Sequence, residues 1–197
     1  MHPPHSIATF TGKIVEPFNL KDEDIDIYDI AKSLSNQCRF LGQVEKFYSV
    51  AQHCVLGVEA LRKLHWSVPI QLCFLLHDAP EAYLCDIPSP LKSHPTFFNY
   101  RIIEDITLDI VLDHFGLRRC NQVNHELIKK MDRIMLMTEK RDLYPQKIHI
   151  YPSDLGIIPI KYKIVPWSPK KAYHAYIDTA RWLIRSCYGP KGEEMYL

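Results

Sequence analysis

The tightest constraint on the fold is a run with no polar face. Residues 69–85 read as a helix that is apolar almost all round, most of all from Leu72 to Leu76. A helix hydrophobic on every side belongs in the middle of a bundle. Pro69 suits the first helical position. The same segment carries His77-Asp78 and Glu81, so it takes titratable groups into the interior. Buried polar groups need partners, and buried carboxylates need a cation or a donor.

The flanking segments supply the rest of a bundle. Residues 49–65 place Val50, Ala51, Cys54, Val55, Val58 and Leu61 on one stripe at helical spacing. Residues 26–37 start with an Asp able to cap a helix, followed by Ile27, Ile30, Ala31 and Leu34. Residues 97–115 form a helix closed by Gly116, and residues 122–143 form another that stops before Pro145. Residues 169–188 put Ala172, Tyr176, Ile177, Ala180, Leu183 and Ile184 on one face. Residues 8–20 read as one or two short strands around Gly12. Residues 145–167, interrupted by Pro145, Pro152, Pro159 and Pro166, read as a long irregular arm with a short hairpin. An arm of that length in a compact domain is usually functional or disordered, and the functional reading makes it a cover over the site. The expectation is one all-α domain spanning 1–197, a bundle of about six helices with minor β at the N-terminus and before the last helix. A chain of 197 residues suits a single domain.

Charge narrows the partners. With 24 basic and 23 acidic residues the net charge is +1, so no global field draws the chain to a nucleic-acid polymer or a membrane. Anion recognition must be local. The apolar runs fall far short of the ~20 residues that span a bilayer. Residues 1–6 lack the basic and apolar regions of a signal peptide. The six cysteines form no C-x-x-C pair and read as free thiols of a cytoplasmic protein. Monomer and oligomer both fit.

Three helical segments carry the chemistry. His53 lies beside the apolar stripe of the second, His77-Asp78 in the third, and Asp132 in the fifth on a face with Ile128 and Met135. Taken singly, His53 reads more readily as a hydrogen-bonded core histidine, and Asp132 as a surface aspartate paired with Arg133 or Lys129. Taken together, the segments must pack on one another, and two imidazoles and two carboxylates then meet inside a bundle. A divalent ion satisfies all four. Such a donor set accepts Co²⁺, Mg²⁺, Mn²⁺ or Zn²⁺. Glu81, one turn beyond His77, faces the same way, where a carboxylate that is not a ligand can exchange a proton.

The order His53 … His77-Asp78 … Asp132 resembles the H…HD…D signature of the HD-domain metallophosphohydrolases. The stretch from Ile30 through Arg39-Phe40, then Phe47-Tyr-Ser-Val-Ala-Gln-His53, resembles the branch of bacterial 5′-deoxynucleotidases and phage dATP triphosphohydrolases. So does His77-Asp-Ala-Pro-Glu81 followed by Asp86-Ile-Pro-Ser-Pro-Leu-Lys92. The resemblance covers about residues 10–143 and extends to a phosphohydrolase of oxetanocin-A biosynthesis, which handles adenine nucleotides. It implies an HD-domain fold with His53, His77, Asp78 and Asp132 as metal ligands and Glu81 assisting proton transfer. It further implies Asp86 near the attacking water or substrate, Arg39 on phosphate, Lys92 and Lys129 on a polyphosphate, and Pro90 beside the base. Phe40 stands where relatives carry a Trp against the deoxyribose, a departure that puts sugar discrimination in question.

The function so implied is a metal-dependent phosphohydrolase acting on (deoxy)adenosine-like nucleotides, triphosphates included, by attack of metal-activated water on phosphorus. A 5′-deoxynucleotidase on monophosphates is the nearest alternative. A di-iron oxygenase of the same superfamily would need further histidines, for which His94, His114 and His125 lie in the right interval. A non-catalytic nucleotide sensor is disfavoured by the intact Glu81 and ligand set.

Overall fold

The computed structural model describes residues 4–145 and 155–197. The fold is all-α with a minimal sheet. Two short strands, β1 (Ile7–Ala8) and β2 (Ile14–Val15), pair antiparallel with Ile7 opposite Val15. Eight α-helices follow among the described residues: α1 (Ile27–Asn36), α2 (Val50–Lys63), α3 (Val68–Leu76), α4 (Glu81–Leu84), α5 (Ser89–Lys92), α6 (Phe98–His114), α7 (Arg118–Leu143) and α8 (Pro169–Tyr196). No described helix is long and apolar enough to cross a membrane.

Caps set the helix starts. Asp26 accepts from the Tyr28 N–H at the head of α1, and Ser49 from the Gln52 N–H at the head of α2. α2 ends at Lys63, two residues before the expected end at residue 65. His65 takes a left-handed φ of 58°, and the N–H groups of His65 and Trp66 close back on the carbonyls of Arg62 and Leu61.

α3 sits at the centre, with Leu72, Cys73, Phe74, Leu75 and Leu76 all fully buried against α2, α7 and α8. It does not run on to residue 85. Pro80 has no N–H, and its ring would collide with the Leu76 carbonyl in a continued helix. The helix therefore stops at Leu76, residues 77–80 form a turn, and α4 starts afresh at Glu81. His77-Asp78 thus lies at the C-terminal end of α3 rather than inside a helix. The freed carbonyls there are occupied: Tyr176 Oη of α8 donates to Leu75 O at 2.9 Å, and His77 Nδ1 lies 2.6 Å from Phe74 O.

α7 begins four residues before the expected start at Gln122. α8 passes the expected end at Tyr188, with a kink at Gly189 (φ 70°) and Pro190 before helix resumes to Tyr196. The expected β before the last helix is absent among the described residues, and part of the proposed hairpin, 146–154, lies outside them. Residues 160–167 instead form a strap across α2 and α7. Arg141 donates to the carbonyls of Ile160 and Tyr162, and Asp142 accepts from the Ile164 N–H. The Gln52 side chain donates to Val165 O and accepts from the Trp167 N–H.

One glycine sets the spacing between α2 and α3. A Cβ on Gly57 would fall 2.0 Å from a ring carbon of the fully buried Phe74. The missing side chain lets the helices close where His53, one turn earlier on α2, meets His77. In Gly57→Ala the helix gains about 1 kcal/mol in propensity, while overpacking costs about 1–3 kcal/mol. The expected result is a lower Tm, read by thermal denaturation. A raised Tm would contradict this role for Gly57.

Candidate metal centre

His53 is fully buried in the second turn of α2. Its Nε2 lies 3.2 Å from Asp132 Oδ1, 3.4 Å from His77 Nε2 and 3.7 Å from Asp78 Oδ2. His77 Nε2 lies 3.1 Å from Asp78 Oδ1 and 3.8 Å from Asp132 Oδ1. Residues separated by up to 79 positions in the chain thus bring four side chains to one point. In each of two groups the potential ligand atoms all lie within 4.8 Å of one another: His53, His77 and Asp132, and Cys54, His77 and Asp78. These are groups that could hold a metal ion, and both contain His77. Asp132 is the most open of the four expected ligands, its side chain 38% exposed against 0% for His53, so the cluster faces solvent on the α7 side.

The ring orientations suit metal binding. With Nδ1 of His77 donating to Phe74 O, its Nε2 lone pair points into the cluster. Behind His53, Nδ1 meets Glu139 Oε1 at 2.6 Å. Glu139 is fully buried on α7 and also accepts from Tyr48 Oη at 3.0 Å and from Arg39 Nε at 3.2 Å. A carboxylate behind a ligating imidazole fixes its tautomer and raises its basicity.

The field at this point is strongly negative. Burial and Arg39 oppose a proton on His53, but Glu139 and Asp132 outweigh them and raise its pKa from 6.5 to about 10. Burial would lift the Asp132 carboxyl, yet hydrogen bonds to His53 and His77 hold it well below the usual carboxylate range. Asp78 is lowered in the same way, the cost of burial being exceeded by His77, His53 and Arg39. Surroundings that favour a proton on a buried imidazole also favour a divalent cation in its place.

Arg39 arrives by a different device. Cys38 and Ser49 form an isolated antiparallel bridge, closed by Arg39 N–H to Tyr48 O and Val50 N–H to Gln37 O. The chain then turns through Phe40 (φ 60°) and Leu41 (φ 54°), left-handed conformations that cost about 1–2 kcal/mol per non-glycine residue. The guanidinium pairs with Asp78 Oδ2 and Glu139 Oε2, each at 3.2 Å. Phe40 packs edge-on against Tyr144.

Glu81 is buried beside the cluster. Its Oε1 lies 3.3 Å from Lys92 Nζ, while Oε2 is buried with no hydrogen-bond partner among the described residues. Burial, reinforced by Asp78 and Asp86, raises its pKa well above the usual glutamate value against the pull of Lys92 and Arg39. Asp86 is likewise raised, chiefly by burial. Gln37 holds this loop, accepting from the Asp86 N–H and donating to Glu81 O. Lys92 also contacts Glu104 Oε1 at 2.6 Å.

Two other residues expected at the site are more open. Pro90 is exposed on α5. Lys129 is exposed on α7 and lines a cavity of about 680 Å³ with Lys130, Arg133 and residues 156–158. His94, His114 and His125 join neither metal-capable group. His94 caps a short helical turn, His114 pairs with Asp22, and His125 sits by Glu126.

Sequence reasoning missed Glu139, Tyr48, Gln37, Glu104 and Cys54. Glu139 had a readable signal. It stands seven residues after Asp132, two turns along the same face, on a stripe with Ile128, Met131 and Met135 that is otherwise apolar. The others depend on contacts between distant segments.

No protein-family model matches the chain. It is similar to an uncharacterized protein of Rhodobacter capsulatus, 39% identical over 87 residues, which cover 42% of this chain and 44% of that one. It is also similar to the uncharacterized protein YfdR of Escherichia coli, 42% identical over 139 residues, which cover 70% of this chain and 71% of YfdR. At that identity and coverage, the chain belongs to the family of YfdR.

Proposed function

We propose that the protein is an HD-domain metallophosphohydrolase that removes phosphate from (deoxy)adenosine-like nucleotides, triphosphates included. The observation carrying this reading is the convergence of His53, His77, Asp78 and Asp132 beside a buried carboxyl, one oxygen of which, Glu81 Oε2, has no hydrogen-bond partner among the described residues. The residues fit a divalent ion: two imidazoles with fixed or fixable tautomers and two carboxylates held in ionised form. When bound, such an ion activates water and polarises a phosphoryl oxygen at neutral pH.

The protein's own groups do the rest. Glu139 holds His53 in the tautomer that turns Nε2 to the cluster. Glu81 holds a proton at the cluster's edge and passes it to, or takes it from, the reacting oxygens. Arg39, braced by Glu139 and Asp78, presents a charge that neutralises phosphate. Asp86 orients water or substrate from the adjoining loop, Phe40 and Pro90 flank sugar and base, and Lys129 meets the outer phosphates.

One observation favours the monophosphate reading, a 5′-deoxynucleotidase: the Lys92 ammonium is already engaged by Glu81 and Glu104. A polyphosphate would have to compete for it. An assay of a dNTP, dNDP and dNMP panel with several divalent ions, resolving every phosphate product, separates the two. Release from dATP supports the leading reading, and release from monophosphates alone supports the alternative. No phosphate release from any member would overturn both.

A further inference from the structure

Cys54 follows His53 on α2, is fully buried, and turns its sulfur toward the same cluster. Its Sγ lies 4.0 Å from Asp78 Oδ2, and its sulfur, a His77 nitrogen and an Asp78 oxygen all fall within 4.8 Å of one another. A thiolate about 2.3 Å and a carboxylate oxygen about 2.0–2.2 Å from one ion can stand at most about 4.5 Å apart. The observed separation is within that reach, so one ion can touch both without movement of the helices.

We propose that the centre contains two overlapping ligand sets hinged on His77, and that the Cys54-His77-Asp78 set captures thiophilic divalent ions such as Zn²⁺ or Cd²⁺. This rests on reading the cluster as a metal centre, and it concerns which ion the centre holds rather than the reaction. Hard ions prefer oxygen and imidazole and use His53, His77, Asp132 and Asp78. Soft ions gain from thiolate. His77 serves both sets because its Nδ1 is held by Phe74 O and its Nε2 faces the cluster in either case. As the metal–sulfur bond forms, the thiol proton leaves to solvent, and neither sulfur nor metal changes oxidation state. Asp78 Oδ2 lies between the two sets, 3.7 Å from His53 Nε2 and 4.0 Å from Cys54 Sγ. Passing from one set to the other exchanges His53 and Asp132 for Cys54 while His77 is kept.

The test uses the full chain stripped of metal, with Cys54→Ser and Cys54→Ala beside it. Cd²⁺ titration is followed by the ultraviolet thiolate-to-metal absorption, and Mn²⁺ binding by electron paramagnetic resonance. The wild type is expected to develop the absorption with one Cd²⁺ per chain. Both variants lose it, and their Cd²⁺ affinity falls by at least about tenfold, the lower end of what loss of a supporting group costs a metal site. Their Mn²⁺ affinity moves less than about twofold, which also reports that the variants are folded. Mn²⁺ binding by a wild type that gives no absorption with Cd²⁺ would overturn the second set and leave the metal centre standing. An absorption that survives in Cys54→Ala arises from another thiol, such as the exposed Cys85, and also overturns it. A wild type that binds neither ion overturns both.

Discussion

Glu81→Gln is expected to keep the metal content of the protein and lower nucleotide turnover by about 10²–10⁴-fold, the usual share of a positioned acid or base. Glutamine has the same shape, and its carbonyl oxygen can still accept from Lys92, so the local packing survives. What it lacks is an acidic proton to give up and a carboxylate to take one back. The wild-type carboxyl is 4% exposed, has one oxygen without a hydrogen-bond partner among the described residues, and is pushed upward by burial and by Asp78 and Asp86. A group so placed is costly to keep unless its proton is used. Steady-state kinetics with a matched metal analysis decide the matter. Turnover within twofold of wild type would reduce Glu81 to the ion-pair partner of Lys92.

The other large effect concerns the ligands. His77→Ala and Asp78→Ala should each lose bound metal and activity together, with metal affinity down by at least about 10²-fold, since even the supporting partners of ligands cost 10–100-fold. His77 is common to both metal-capable groups, so no alternative set compensates for it. Asp78→Ala carries a second cost, because Arg39 loses one of its two carboxylates. Circular dichroism should show the helical content unchanged. A variant with full metal content and full turnover would remove the residue from the site.

The sequence made the meeting of His53, His77-Asp78 and Asp132 readable because each sits beside or within an apolar stripe. Stripes on three helices have to face one another, and whatever polar residue rides on their edge is carried inward. The cap of α1 was readable for a local reason, a side-chain oxygen next to the first unpaired N–H groups, and Ser49 caps α2 in the same way. The break after Leu76 was not foreseen, although Pro80 signals it, because the apolar run concealed where helical periodicity ended. The extension of α8 beyond Gly189 shows the converse. Gly189 and Pro190 kink the segment without ending it, since Tyr196 at the far end packs against Phe115 and His114. Glu139 and Gln37 act through partners 100 and 44 positions away, beyond any local window, and Glu104 meets Lys92 from a separate helix, so no helical periodicity links that pair. The arm was read as a cover. Its described part is a strap held by Gln52, Thr138, Arg141 and Asp142, donors and acceptors with no pattern in sequence.

The central claim is that one divalent ion, held by His53, His77, Asp78 and Asp132, enables phosphate release from a nucleotide. Its most direct test is a metal titration of chelator-stripped protein, following dATP hydrolysis and bound ion in the same samples. The account predicts no phosphate release from the stripped protein and activity that rises in proportion to Mn²⁺ or Co²⁺ bound, reaching its plateau at one ion per chain. Phosphate release that is unaffected by stripping, or a chain that binds its ion stoichiometrically and releases no phosphate from any nucleotide, would contradict it.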